Sequence, residues 1–595
     1  VKEMFIEIGS LTWKYFKEHD GFVSPEAVGL KIEQKYKSLH KDYQILEFWM
    51  CRDRAVEFKA SKLASQNPKW ISFCGFSMPE STHAFLANGY QCWTTSGFVS
   101  KNSVLKKESH DPQRYFGDDK IWNYKEVPGS GHSWSYTILV TGETEKPRNL
   151  FYGFLTDDQG FGLFDLNLNS KALNLRVDVE GCNFQRMENE LKTSGRSLMA
   201  AVILPKPGAD GEVPLWEIAG AWQNEIRNYE SRARLPKKNL TMSLPVTGYT
   251  SWYNRFTEID QPWLMSHIDS VDRKTSWKIF QVDDGYQAKI GDWLQPGKGF
   301  PGGIAPVLAY AKERSLLPGV WLAPFVAIWD SELARNHPDW LARDEGKEIV
   351  AGDFAHWGGK FLVIDHENPD YQSYMTRVIE QFAAMGVKFI KADFLYASAM
   401  RPRNGKTRAE LSAESHQWFY KLCASHDILF LSCGAPLSSA YGRCDFSRIG
   451  PDVSIDMEFI PLLGTSSREK PTVRGSIMNA VTRAILNGKA FWNDPDVVIL
   501  RTENTSLTHS EKAILVQINR AFGGLLFCSD SPDLYGNNEK DLLRIMEHGL
   551  ALEEIEAFSV LSESEFHVVV HTRTGTWNID LGKDIGAKYT AKKPL

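Results

Sequence analysis

From about residue 241 onward, short apolar runs alternate with amphipathic stretches. Eight such runs can be read: VTGYTSW (246–252), IFQVDD (279–284), PGVWLAP (318–324), KFIKAD (388–393), ILFLSCG (428–434), FSRIGPD (446–452), KAFWND (489–494) and GLLFCSD (524–530). Between them the hydrophobic period becomes helical, as in IDQPWLMSHIDSVDRK (259–274), IAPVLAYAKERS (304–315), DYQSYMTRVIEQFAAMG (370–386) and SEKAILVQINRAF (510–522). Strand–helix alternation of this kind builds a parallel sheet. Eight repeats in about 300 residues fit a (β/α)8 TIM barrel. A doubly wound open sheet is the alternative, but no GxGxxG follows the first strand. Residues 337–369 form an extra excursion between the third and fourth strands, read as a hairpin.

The first 240 residues have a different texture. QILEFWM (44–50), WISFCGF (70–76), SYTILVT (135–141), LFYGFLT (150–156), GFGLFDLNL (160–168) and LNLRVDV (173–179) are short strands separated by turn residues. That pattern predicts an antiparallel sandwich. Asn88-Gly89-Tyr90-Gln91-Cys92-Trp93, followed by TTSG, interrupts it and reads as an exposed loop. A helix over 217–234 then leads to Pro236 and a linker. In the tail, 549–595, FHVVVHTRTGTWNIDL predicts a hairpin around Thr574–Gly575. It is too short to fold alone, so a small β-sheet packed on the barrel is expected. The division expected is 1–240, 241–548 and 549–595.

Composition narrows the function. The chain has 595 residues, 43% hydrophobic and 24% charged, with net charge −6 and no basic block. Nucleic acid and anionic membranes are therefore not expected partners. No run of 18 apolar residues is present, so no membrane-spanning helix is expected. The start, VKEMFIEIGSLTWKYF, lacks the apolar core and cleavage site of a signal peptide. The eight cysteines form no CxxC pair. Zinc is thus not expected, and sparse, irregular thiols point to a cytoplasmic home. Aromatics make up 12%, with 19 Trp. Flat amphipathic rings suit sugars, although they also fill cores.

The candidate chemistry lies at the strand ends, where such barrels place their active sites. The ends carry Trp252; Asp283 and Asp284; Trp321; Lys391 and Asp393; Cys433; Arg448 and Asp452; Trp492, Asn493 and Asp494; and Asp530. Residues two apart in a strand share a face, so Lys391 and Asp393 project together. A buried ion pair is weak evidence for stability, whereas at a barrel mouth it is a catalytic device. Carboxylates mixed with Trp rings fit a sugar site, and glycoside hydrolysis uses two carboxyl groups in different states. The Lys391 charge favours an ionised Asp393, suited to be a nucleophile. Asp452 is then the general acid/base, with a pKa expected to be raised by burial and by Asp393. Asp530 and Asp494 also read as cap or turn residues, and Asp365 as the cap of a helix starting near Pro369. His337-Pro338-Asp339-Trp340 reads as a structural turn. Asp283-Asp284 without a His cluster does not read as a metal pair, and Cys433 reads as pocket wall.

TGYTSWY, FQVDDGYQ with GDW, GVWLAPF, HPDW, FIKADF, SCGAPL and RIGPDVS, with NGYQCW in the first part, together resemble the α-galactosidases of glycoside hydrolase family 36. The resemblance runs from about residue 85 to 500 in the family's order. It implies an N-terminal β-supersandwich, a catalytic (β/α)8 barrel and a C-terminal β-domain. It implies retention of configuration, with Asp393 as nucleophile in the K-x-D motif and Asp452 as acid/base in the GPD motif. By the same resemblance Asp283 and Asp284 take the galactose hydroxyls at carbons 4 and 6. Lys391, Cys433, Gly434, Arg448, Trp252 and Trp321 line the pocket, Trp93 reaches over the barrel mouth, and no metal or cofactor is implied. Thr250 stands where many members have Cys, Ala392 where bulkier residues are frequent, and the C-terminal part is shortened. The activity expected is a retaining exo-α-galactosidase on small α-galactosides. The rivals are an α-N-acetylgalactosaminidase, an α-galactosyl transferase, a carbohydrate-binding protein with a dead barrel, and a phosphate-handling barrel. The last would want a Gly-rich loop after strand seven or eight, but Gly523-Gly524 precede strand eight.

Overall fold

The computed structural model describes residues 4–8, 11–15, 30–39, 41–52, 69–107, 121–143, 145–229, 242–458, 471–562, 564, 566–582 and 585–592. The expected linker around Pro236 and the last turn of the preceding helix lie outside the described residues.

All eight strands expected after residue 241 form, and all their pairings are parallel. In chain order they are Val246–Thr250, Ile279–Val282, Leu317–Leu322, Phe389–Ala392, Leu429–Ser432, Phe446–Arg448, Trp492–Asp494 and Leu525–Cys528, numbered one to eight below. They are short and almost wholly buried. This is why most read as short, largely apolar runs with no alternation, although strands six and seven, Phe446-Ser447-Arg448 and Trp492-Asn493-Asp494, are mostly polar. Strand seven explains how the sheet closes. Trp492–Asp494 pairs with strand six, and Val497–Val498 pairs with strand eight. The two segments are separated only by Pro495 and by Asp496, whose φ is 79°. One kinked strand thus joins the two edges, consistent with a (β/α)8 barrel.

The helices anticipated between the strands form as Gln261–Lys274, Ala305–Glu313, Pro369–Ala384 and His509–Phe522. Helix Arg408–Ser425 escapes a periodicity reading. Arg408, Glu410, Ser412, Ser415, His416 and Gln417 are buried beside its apolar residues, so no polar stripe marks a solvent face. The excursion after strand three contains a three-stranded antiparallel sheet, in the order Val326–Ile328, Gly359–Val363, Val350–Phe354. The short turn Ala355–Trp357 tips its hairpin.

The first part of the chain holds two antiparallel sheets of six and seven strands. All six strands expected there form. Seven more complete the two sheets, and the two longest of these were hidden by their composition. LKIEQKYKS (Leu30–Ser38) is too polar to stand out, and RSLMAAVILP (Arg196–Pro205) too uniformly apolar to show period two. Leu46, Phe48, Phe85 and Leu139 of one sheet share a core with Phe164, Leu166, Leu173 and Leu175 of the other. Helix Leu215–Tyr229 carries Trp222, whose Nε1 donates to Phe154 O at 2.7 Å. Its ring meets Tyr441 of the barrel edge-on at 5.4 Å. The tail forms a four-stranded antiparallel sheet containing the expected hairpin, His567–Thr572 with Gly575–Asp580. It packs on the barrel through Trp577 and Phe522. It also binds the first part, where Phe558 N donates to Asn149 Oδ1 at 2.7 Å.

Candidate active site

The fourth strand delivers its charged pair as a strand end should. Asp393 N donates to Leu322 O of strand three at 2.9 Å, the last backbone tie before the chain turns. Phe394 then takes a left-handed conformation, φ 55°, a strained geometry that clusters at functional sites. Its N–H donates to Asp393 Oδ1 at 2.8 Å. Trp321 Nε1 donates to Asp393 Oδ2 at 3.1 Å. Lys391 Nζ stands 3.7 Å from the same oxygen.

Lys391 has a nearer partner. Its Nζ lies 3.0 Å from Asp283 Oδ2 on the second strand. That oxygen also accepts from Gln281 Nε2 at 3.0 Å, and Asp283 N donates to Ser251 Oγ at 2.9 Å. Burial pulls the Lys391 pKa down, but Asp283 and Asp393 outweigh it and hold the ammonium charged well above its ordinary range. Asp284 is held differently. Gln287 Nε2 donates to Oδ1 at 2.5 Å and Trp357 Nε1 to Oδ2 at 2.8 Å. No cation pairs with it among these contacts, and burial pushes its carboxyl up to about 6 against those two donors.

Asp452 corrects an expectation. Desolvation works to raise its pKa, but its side chain stays 42% exposed and Arg448 Nη2 sits 3.0 Å from Oδ1. Arg448, with Lys391 behind it, holds the carboxyl below the usual range. A fixed guanidinium wins over partial burial. Arg448 is itself almost fully buried, with Nη2 also 2.9 Å from Asp496 Oδ2 and Nε 4.0 Å from Asp494 Oδ2. Burial pushes the Asp494 carboxyl up to about 7 against the pull of Arg448.

The Asn88–Trp93 loop is a second correction: it is buried, not exposed. Gln91 and Cys92 have no accessible surface. The loop docks on the turn after strand five, where Cys92 N donates to Ala435 O at 2.9 Å and Gly434 N to Cys92 Sγ at 3.0 Å. Arg483 Nη1 clamps it from below through Cys92 O at 2.7 Å. Trp93 thereby comes over the barrel mouth, edge-on to Phe394 at 5.4 Å. Gly434 has φ 64°, and a Cβ there would stand 2.9 Å from both Phe394 N and the Trp93 ring. Cys433 is fully buried. Burial, then Cys92 and Asp393, raise its thiol well above the ordinary range, which keeps it neutral. Trp252 opens a helical turn after strand one and packs edge-on against Phe256 at 5.2 Å.

Other assignments change. Asn368, not Asp365, caps helix Pro369–Ala384, accepting from Asp370 N and Tyr371 N. Asp365 lies 3.6 Å from Arg403 Nε instead. Asp530 caps no helix. It accepts from Leu500 N and Arg501 N, both at 2.8 Å, and pairs with Arg501. Asp494 is the last residue of strand seven, its Oδ1 accepting from Asp496 N at 2.9 Å across the kink. His337 stacks flat on Trp340 at 3.8 Å in a 3-10 turn, the structural role expected. Among the described residues no His, Cys, Asp and Glu side chains converge as a metal site.

Sequence reasoning missed Trp357, Gln281, Gln287, Tyr253 and Asp496. Tyr253, Gln281 and Gln287 lie inside quoted motifs, TGYTSWY and FQVDDGYQ, and could have been named from them. Trp357 sits in the excursion, where no strand pattern leads to the barrel mouth.

A family model described as Melibiase matches residues 226–431. That stretch holds Trp252, Asp283, Asp284, Trp321, Lys391 and Asp393, and stops short of Cys433, Gly434, Arg448 and Asp452. An α-galactosidase of Escherichia coli is 27% identical over 183 residues, covering 28% of this chain and 24% of the relative. The chain thus matches about a quarter of that relative's length. Two solved structures show the fold. Both are the α-galactosidase of Thermus thermophilus, one in complex with p-nitrophenyl α-D-galactopyranoside (TM-score 0.66, 21% identity, 90% of this chain and 98% of that one). The other is in complex with stachyose (TM-score 0.65, 23% identity, 88% and 100%).

Proposed function

We propose that this chain is a retaining exo-α-galactosidase acting on small α-galactosides, with residues 1–240, 241–548 and 549–595 as a β-supersandwich, catalytic barrel and small β-domain. One observation carries the reading: Asp393, at the end of strand four, is held by Trp321 Nε1 at 3.1 Å and Phe394 N at 2.8 Å with the Lys391 ammonium 3.7 Å away. In this reading the Asp393 carboxylate attacks the anomeric carbon. The bond to the aglycone breaks, and its electron pair goes to the glycosidic oxygen as that oxygen takes a proton from Asp452. Asp452, now a carboxylate, takes a proton from water, and the hydroxide displaces Asp393, releasing α-galactose. Trp321 and Phe394 N orient Asp393 for the attack.

Asp283 and Asp284 are the acceptors for galactose hydroxyls at carbons 4 and 6, with Trp252, Trp321, Trp93, Cys433, Gly434 and Arg448 as walls. The Trp357 contact to Asp284 supports this, because it leaves that carboxyl held rigidly and aimed from two sides. The stachyose complex of the Thermus neighbour supports a small soluble substrate. Free thiols at Cys51, Cys92, Cys182, Cys423, Cys433, Cys444 and Cys528 support a cytoplasmic home. The test is proton NMR of p-nitrophenyl α-galactoside turnover. α-Galactose should appear first. Initial release of the β-anomer, or activity only on the 2-acetamido analogue, would overturn the assignment.

A further inference from the structure

The kink that closes the barrel also places a carboxylate behind the proposed acid/base. Asp496 follows Pro495 in a left-handed conformation, φ 79°, which a non-glycine residue adopts only when its surroundings hold it there. It is buried, and its Oδ2 gathers three donors, two from strand six and the loop after it and one from the turn after strand one. Arg448 Nη2 of strand six lies at 2.9 Å, and Val453 N, the residue after Asp452, at 2.7 Å. The third is the hydroxyl of Tyr253, from the turn after strand one. The same Arg448 Nη2 donates to Asp452 Oδ1 at 3.0 Å. One guanidinium nitrogen therefore stands between an accessible carboxyl and a buried one.

We propose that Asp496 is a positioning residue that divides Arg448 between itself and Asp452, and so fixes both the place of the acid/base and how tightly Arg448 holds it ionised. The proposal rests on the assignment of Asp452 above. A general acid must carry a proton at working pH. Even shared, Arg448 holds the Asp452 carboxyl below the usual range; an arginine committed to Asp452 alone would lower it further, whereas one shared with a second carboxylate is partly neutralised. The charged and titratable groups acting on Asp452 are Arg448, Lys391, Tyr253 and Asp496. Those acting on Arg448 add Asp494 and Cys433. Lys391 is already engaged by Asp283 and Asp393, and Asp494 reaches only Nε, at 4.0 Å. Asp496 is thus the group whose charge competes most directly with Asp452 for Arg448. The hydrogen bond to Val453 N adds a positional role, since it pins the backbone next to the acid/base.

The test is the pH dependence of kcat/KM on p-nitrophenyl α-galactoside for wild type, Asp496→Asn, Asp496→Ser and Asp496→Glu. Asn and Ser keep an acceptor for Val453 N and remove the charge. Their basic limb should move about one pH unit toward acid, with roughly tenfold lower activity above it and little loss below. Glu keeps the charge, and its limb should stay in place. Equal loss at every pH without a shift, a shift toward alkali, or failure of both uncharged variants to fold would overturn the proposal. A wild type inactive on every α-galactoside would sink the functional reading instead. The coupling is then read by carbon-13 NMR of labelled aspartates, with the Asp452 signal identified by its loss in Asp452→Asn. Its titration should still move toward acid in Asp496→Asn, and an unmoved titration would overturn the coupling.

Discussion

Lys391 Nζ lies 3.0 Å from Asp283 Oδ2, nearer than to Asp393, its neighbour on the same strand. The lysine is a cross-strand tie between strands four and two before it is the companion of the proposed nucleophile. Two buried carboxylates thus share one ammonium, and each is tolerable in the interior because of it.

Lys391→Ala removes that shared cation and leaves Asp283 and Asp393 buried without it. Removing one partner from a buried ion pair costs roughly 3–5 kcal/mol. We expect a clearly lowered Tm together with at least about a hundredfold loss of kcat/KM. A variant that unfolds like wild type and keeps its turnover would show that the tie is dispensable.

Asp393→Gly removes the proposed nucleophile and opens space beside the anomeric carbon. Turnover should fall by about 10⁴-fold or more. External azide should restore reaction and give the β-galactosyl azide, identified by its NMR coupling constant. An α-azide product would mean that the displaced face, and hence the nucleophile, is assigned wrongly.

Gly434→Ala places a methyl group 2.9 Å from both Phe394 N and the Trp93 ring, at a residue whose φ is 64°. The clash involves the residue after Asp393 and the tryptophan over the mouth. Activity should therefore fall more than stability, with KM and kcat both affected. Steady-state kinetics beside thermal unfolding would decide it. An unchanged KM would argue that Trp93 does not border the substrate.

How much of this was legible in the sequence follows from what each residue depends on. All eight parallel strands were visible, most because a strand buried on both faces is a short apolar run, and the polar FSR and WND because they continue the strand–helix alternation. Lys391 and Asp393 were visible because charge at the end of such a run is anomalous. The loop carrying Trp93 was misread as exposed. Its burial depends on Gly434 and Ala435, some 340 residues away, and nothing local signals that docking. The Asp452 pKa was misread for a similar reason. Burial and repulsion could be inferred from spacing, but whether Arg448 points at the carboxyl is set by side-chain geometry. Asp496 was invisible because its importance comes from a kink joining two sheet edges, which no window of sequence contains.

Asp157 offers a stability test independent of the catalytic reading. It is buried where the first part of the chain meets the barrel, with Oδ1 accepting from Gly162 N at 2.8 Å. Burial, supplemented by the charge of Asp158, raises its pKa from 3.8 to about 7 in spite of hydrogen bonds from Ser135, Gly162 and Ser438. Below about pH 4 the group is protonated in both folded and unfolded chains and costs nothing. Between about pH 4 and 7 the unfolded chain releases the proton while the folded one keeps it, so stability falls as pH rises; above about 7 the cost is complete. At about 1.4 kcal/mol per pH unit, that cost is at most about 4 kcal/mol. Asp157→Asn keeps an acceptor for Gly162 N and cannot ionise. Its Tm relative to wild type should therefore climb between pH 4.5 and pH 8. Asp284 and Asp494 are also raised, but they are present in both proteins and cancel in the difference. A Tm difference that is the same at the two pH values would show that Asp157 carries no such cost.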